Sequence, residues 1–69
     1  MRFWITRNGE VPIREQLVRQ AVLGILTQDL PPGARLPSVR AMARRHRIHS
    51  NTVSAAWHDL LDQGWLELR

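Results

Sequence analysis

The stretch PSVRAMARRHRIHSNTVSAAWHDLLDQ, residues 37–63, decides how this chain is read. Ser38 can offer its hydroxyl oxygen to the free amides of a helix start, which makes it a good N-cap. Val39, Met42 and Ala43 then recur at helical spacing, and this short helix is expected to stop around His46. A brief basic turn follows. The next helix carries the apolar stripe Val53, Ala56, Trp57, Leu60 and Leu61, with Gly64 as its natural stop. A short helix, a tight turn and a longer helix opening on Ser50, Asn51, Thr52 and Ser54 make the pattern of a helix-turn-helix whose second helix enters a DNA groove.

The charge distribution supports that reading. The formal net charge is +4, and apart from the histidines every basic residue is arginine. Acidic residues stand at Glu10, Glu15 and Asp29 and again at Asp59, Asp62 and Glu67. Between Asp29 and Asp59 lie Arg35, Arg40, Arg44, Arg45 and Arg47 and no acid at all. One-sided charge concentrated on a compact motif favours contact with phosphate over a merely solvated face.

Upstream, the aromatic and β-branched residues Phe3, Trp4, Ile5 and Thr6 suggest a short strand over residues 2–6, and Asn8-Gly9 a turn. Pro12 suits the first turn of a helix, where its missing N–H costs nothing. Leu17, Val18, Ala21, Val22, Ile25 and Leu26 form one stripe, with Arg14, Gln16, Arg19 and Gln20 facing away or flanking it. This helix should end near Gln28, since Pro31-Pro32-Gly33 cannot continue it. Arg35-Leu36 is read as a minimal strand and Trp65-Leu66-Glu67-Leu68 as the start of another.

These elements predict a mainly α domain with short β segments: a winged helix-turn-helix on a three-helix core, the wing incomplete. Met42, Val53, Trp57 and Leu60 are expected to pack against Leu17, Ile25 and Leu26. Residues 1–10 form an amino-terminal strand or arm, and residues 11–69 the helix-turn-helix domain. The final strand lacks a returning partner for its backbone groups, so the chain is read as the front part of a larger protein.

The 69 residues allow one small domain. With no cysteine, a disulfide scaffold and a cysteine-ligated zinc finger are excluded. No apolar run approaches the roughly 20 residues that cross a bilayer, which points to a cytoplasmic protein without membrane contact. His46, His49 and His58 lack the acidic or cysteine companions of a metal site, and no paired carboxylates, serine–base pair or glycine-rich phosphate loop supports catalysis. The expectation is a non-enzyme with no metal and no cofactor.

The candidate DNA-binding residues are Arg40, Arg44, Arg45, Arg47, His49, Ser50, Asn51, Thr52 and Ser54. Asn51 can bond an adenine edge bidentately, while Ser and Thr serve bases or phosphates less selectively. Ser50 and Asn51 can equally be plain capping residues. The amino terminus of the second helix adds free N–H groups and partial positive charge. Arg40, in the exposed first turn of the preceding helix, is placed as a phosphate clamp. Arg44, Arg45 and Arg47 extend the basic surface, with at least one of the adjacent pair expected to face the protein or solvent. Trp57 is read as core and Trp4 as a candidate dimer contact.

The segments PIREQL (residues 12–17), LPPGARLPSVR (30–40), NTVSAAW (51–57) and LLDQGWL (60–66) together resemble the amino-terminal domain of the GntR family of bacterial transcription regulators, in particular its YtrA-like and MocR-like branches. The resemblance runs from about residue 11 to the end. It implies a homodimer on an inverted repeat in double-stranded DNA, most often acting as a repressor, with any small-molecule effector bound by a region beyond Arg69. It places Arg40 on the family arginine that contacts DNA, and His49, Ser50, Asn51, Thr52 and Ser54 on the DNA-contacting turn and recognition helix. Departures fall at 49, 50 and 54, where the family favours a small polar cap, Arg or Pro, and Arg respectively. Base specificity therefore does not transfer, and Ser50 is expected to take over the capping that His49 does poorly. The alternative is a winged-helix module for protein interaction or dimerisation, solubilised by its arginines.

Overall fold

The computed structural model describes residues 3–30 and 36–66, which contain three helices: α1 Ile13–Leu26, α2 Val39–His46 and α3 Ser50–Asp62. No strand occurs among the described residues. The three-helix core is therefore as the sequence reading has it. Arg35 and Glu67–Arg69, on which two of the expected strands rest in part, lie outside the described residues, as does Pro31-Pro32-Gly33.

Each helix is bounded by local chemistry. Pro12 precedes α1 in an extended conformation, and its carbonyl accepts the Gln16 N–H at 3.0 Å. α1 stops at Leu26, before the expected Gln28, because Gln28 itself turns left-handed at φ 66°. The Leu30 N–H then folds back on the Gly24 carbonyl at 3.0 Å. In α2, the Ser38 hydroxyl oxygen accepts the Ala41 N–H at 3.0 Å, as its N-cap position predicts. The far end closes with Arg47 left-handed at φ 53° and the Ile48 N–H bonded to the Ala43 carbonyl at 3.0 Å. α3 ends in the same manner: Gly64 takes φ 82°, and the Trp65 N–H reaches the Leu60 carbonyl at 2.9 Å.

The start of α3 corrects one expectation. The cap is His49, whose Nδ1 accepts the Asn51 N–H at 3.0 Å, while Ser50 is already the first helical residue. An imidazole with its proton on Nε2 presents an acceptor at Nδ1, so it can do what a Ser or Asn oxygen does at this position.

The core is formed by Phe3, Leu17, Ala21, Met42, Val53, Ala56 and Leu60, all buried. α3 packs against both α1 and α2. Leu26, expected in this core, is instead 66% exposed, and Leu23 is 56% exposed. The buried column of α1 runs through Leu17, Ala21 and Gly24, and at 100° per residue Leu26 falls on the opposite side from Leu17. The remaining side of the column is covered by the amino-terminal arm.

That arm is no strand, although it mimics one. The Gln20 carboxamide accepts the Trp4 N–H (3.0 Å) and donates to the Trp4 carbonyl (2.6 Å). Four residues earlier the Gln16 carboxamide does the same with Thr6, at 2.9 and 2.8 Å. Side chains four apart on a helix lie at about the spacing of alternate residues in extended chain, so two glutamines can stand in for a neighbouring strand. Phe3 is thereby seated in the core with its ring 5.8 Å from that of Trp57 at 50°, a tilted aromatic pair.

Arg14 on α1 grips Asp59 on α3 with two bonds of 2.6 Å, from Nε and Nη2. The hydrogen bond from Arg14 holds the Asp59 carboxyl below its ordinary range. A depressed folded-state pKa contributes stability that is present above the unfolded value of about 4 and is lost as pH falls through the folded value. Thermal melts are therefore expected to show Asp59→Asn less stable than the parent at neutral pH, with the difference shrinking as pH is lowered below about 4. A second expected outcome concerns the cap: His49→Ala should cost about 1 kcal/mol in chemical denaturation, whereas His49→Asn should be close to neutral.

Candidate nucleic-acid interface

The expected site residues are gathered on two adjoining helices. Arg40 is exposed in the first turn of α2, one position after its first residue. Arg44 and Arg45, in the last turn, are both exposed, as is Arg47 in the reversal that follows. Among the described residues no ion pair joins any of these four guanidinium groups to a carboxylate. Arg14 and Arg19, by contrast, are paired with Asp59 and Glu15. Among the described residues, the four arginines of the helix-turn-helix are thus exposed and unpaired with carboxylates.

On α3 the polar residues divide by face. Asn51 and Ser54 are exposed; at 100° per residue Asn51 lies opposite the buried Val53, Ala56 and Leu60, and Ser54 beside it. Ser50 is exposed at the helix start and Thr52 is half-buried at the flank. Farther along the same exposed side, His58 Nδ1 lies 3.3 Å from Asp62 Oδ2. The exposed uncharged polar side chains therefore belong to the first turn and a half, beyond which the surface becomes acidic.

The expectation of free amides at this helix start needs correction. The Asn51 N–H is taken by His49 Nδ1, and the Thr52 and Val53 N–H groups bond the His49 carbonyl at 3.0 and 3.4 Å. Two of the amides expected to be free, those of Asn51 and Thr52, are thus engaged inside the chain, while the Val53 N–H makes the first regular helical bond. His49 itself is exposed. With Nδ1 committed to the cap, its remaining ring nitrogen Nε2 carries the proton and is the atom left to donate outward.

Two residues outside the candidate set shape this surface. Trp57, expected as core, is half-buried, and its indole N–H donates to the Pro37 carbonyl at 2.9 Å. That bond ties α3 to the residue just before the Ser38 cap. Arg7 reaches from the arm to the carbonyls of His46 (through Nη2) and Arg47 (3.2 Å), where α2 turns toward α3. The arginine content alone could not single it out, because the turn it reaches is 39 residues away in sequence. Among the described residues no group of three or more His, Cys, Asp or Glu side chains could hold a metal ion. An open groove of about 350 Å³ lies between α1 and α3 around the Arg14–Asp59 pair, lined also by Pro12, Val18 and Gln63. No described helix is long and apolar enough to cross a membrane.

No protein-family model matches the chain. Individual proteins do. An HTH-type transcriptional regulator of Mycobacterium tuberculosis is 38% identical over 71 aligned residues, covering 100% of this chain and 59% of the relative. A second regulator of the same organism is 43% identical over 62 residues, or 90% of this chain and 23% of the relative. The HTH-type transcriptional repressor YtrA of Bacillus subtilis is 36% identical over 63 residues, or 91% of this chain and 48% of the repressor. This chain thus spans from under a quarter to little more than half of these relatives. Among solved structures, YtrA from Sulfolobus acidocaldarius, a GntR-family transcription factor, superposes with a TM-score of 0.91 at 30% identity, over 97% of this chain and 71% of that one. With the same three-helix arrangement and sequence identity along nearly its whole length, the chain belongs to the GntR family of winged helix-turn-helix transcription regulators.

Proposed function

We propose that this domain binds double-stranded DNA, with α3 entering the major groove and α2 crossing the backbone beside it. One observation carries the reading: four exposed arginines without carboxylate partners among the described residues flank the polar start of a helix whose other face is core. Such a helix can approach a groove without giving up its packing. Arg40 acts as the phosphate clamp, and Arg44, Arg45 and Arg47 add sequence-independent attraction. Asn51 and Ser54 face the base edges, Ser50 and Thr52 serve the nearby backbone, and His49 donates from Nε2 while capping the helix.

In the full proposal two copies read an inverted repeat, each inserting one α3 into successive major grooves about 34–36 Å apart. The name of the Bacillus relative makes repression the natural regulatory outcome for this chain too, through occupation of a promoter-proximal site. The competing reading, a protein-interaction module, would bury Asn51 and Thr52 against another chain. It draws support from the exposure of Trp4, Leu23 and Leu26, although none of these belongs to α2 or α3.

Fluorescence anisotropy with labelled duplexes across a salt series tests the proposal. Arg40→Ala is expected to weaken binding on every sequence and to reduce the salt slope by about 0.9 for the lost phosphate contact. Asn51→Ala should instead narrow the preference between selected and unselected sites, by about 1–3 kcal/mol if it reads a base. Equal losses on all sequences would remove Asn51 from the reading set. Absence of salt-sensitive binding by the folded protein at low salt would favour the interaction module.

A further inference from the structure

α1 and α2 do not pack on one another among the described residues; each packs on α3. The connection between them on the side of the helix-turn-helix is made by the arm. Gln16 on α1 holds both backbone groups of Thr6, and the next residue, Arg7, donates to the His46 and Arg47 carbonyls. These carbonyls stand at the C-terminal end of α2, where a helix leaves oxygen atoms without internal donors and carries partial negative charge. Arg47 is also left-handed without being glycine, a conformation that needs outside support. A guanidinium placed there answers all three demands together.

We infer that Arg7 is a positioning residue for the recognition helix: it fixes the turn between α2 and α3 and thereby the angle at which α3 is presented. Its effect on DNA rests on the DNA-binding reading above. Arg7 works from the protein side. Its charge lies against backbone carbonyls, unlike Arg40, Arg44 and Arg45, and its removal leaves every proposed phosphate and base contact in place while loosening the frame that aligns them. Gln16 belongs to the same strut, one residue away.

The test compares the parent protein with Arg7→Ala, Arg7→Lys and Gln16→Ala by two measurements. The first is anisotropy with a labelled pool of random-sequence duplexes over a salt series. The second is amide hydrogen exchange of the free protein. Arg7→Ala and Gln16→Ala are expected to weaken binding by about three- to tenfold, the value of one or two hydrogen bonds, with the salt slope unchanged. Arg7→Lys should recover part of the loss, since an ammonium also donates to carbonyls. The Ile48 and Asn51 amides, which close α2 and open α3, should exchange faster in Arg7→Ala than in the parent, while the amide of Leu60 in the core is unaffected. A salt slope reduced by about 0.9 in Arg7→Ala would overturn the inference and make Arg7 a phosphate contact. Unchanged exchange at Ile48 and Asn51 would overturn it too. If the parent binds no DNA, the DNA-binding reading has failed, and the exchange data still decide whether Arg7 holds the turn.

Discussion

Everything in this domain depends on burying one side of α3. Val53, Ala56 and Leu60 are fully enclosed, and α3 is the helix against which both of the others pack. Burying a Val or Leu side chain is worth about 1.5–3 kcal/mol, so this face supplies much of what holds a 69-residue chain together. The same helix also carries Asn51 and Ser54 exposed. A 13-residue helix meets both demands only because its apolar residues occupy one narrow side and its polar residues the other. The core and the exposed polar start of α3 are thus fixed by the same few turns, and a substitution at Val53 or Leu60 would disturb both.

Around that helix the structure uses side chains where larger proteins use secondary structure. Gln16 and Gln20 pair with Thr6 and Trp4 as a strand edge would, and this keeps the buried Phe3 in place. Trp57 contributes its ring to Phe3 and its indole N–H to Pro37, joining the arm, α3 and the entry to α2 through one residue. Arg14 and Asp59 fasten the outer edge of the α1–α3 contact, where exposure of the arginine limits what the pair adds to stability. Each of these contacts joins separate segments of the chain, and together they tie the arm, α1 and the entry to α2 to α3.

The family relation bears on the departures at the recognition helix. His49 and Ser50 stand where the resemblance favours other residues, yet α3 is capped and begins cleanly. An imidazole acceptor at the cap keeps the helix start intact and leaves a ring N–H in reach of a partner.

How much was legible beforehand follows from the range of each interaction. Residue order alone accounts for the three helices, the Ser38 cap, the Gly64 stop and the inward side of α3, because caps, reversals and helical periodicity act within a few residues. It also determined the one-sided charge from Arg35 to Arg47. It did not determine the orientation of α1, where six apolar residues spread over half the helix surface and left Leu26 and Leu17 equally eligible. Nor did it decide between a strand and an arm for the first residues, since extended backbone looks alike whether its partner is another strand or two glutamines. That Phe3 is core, that Leu26 is exposed and that Arg7 meets the end of α2 follow from how the packed elements meet. Those outcomes rest on contacts such as Trp4 with Gln20, 16 positions apart, and Arg7 with His46, 39 apart, which arise only when the folded helices have brought the pieces together.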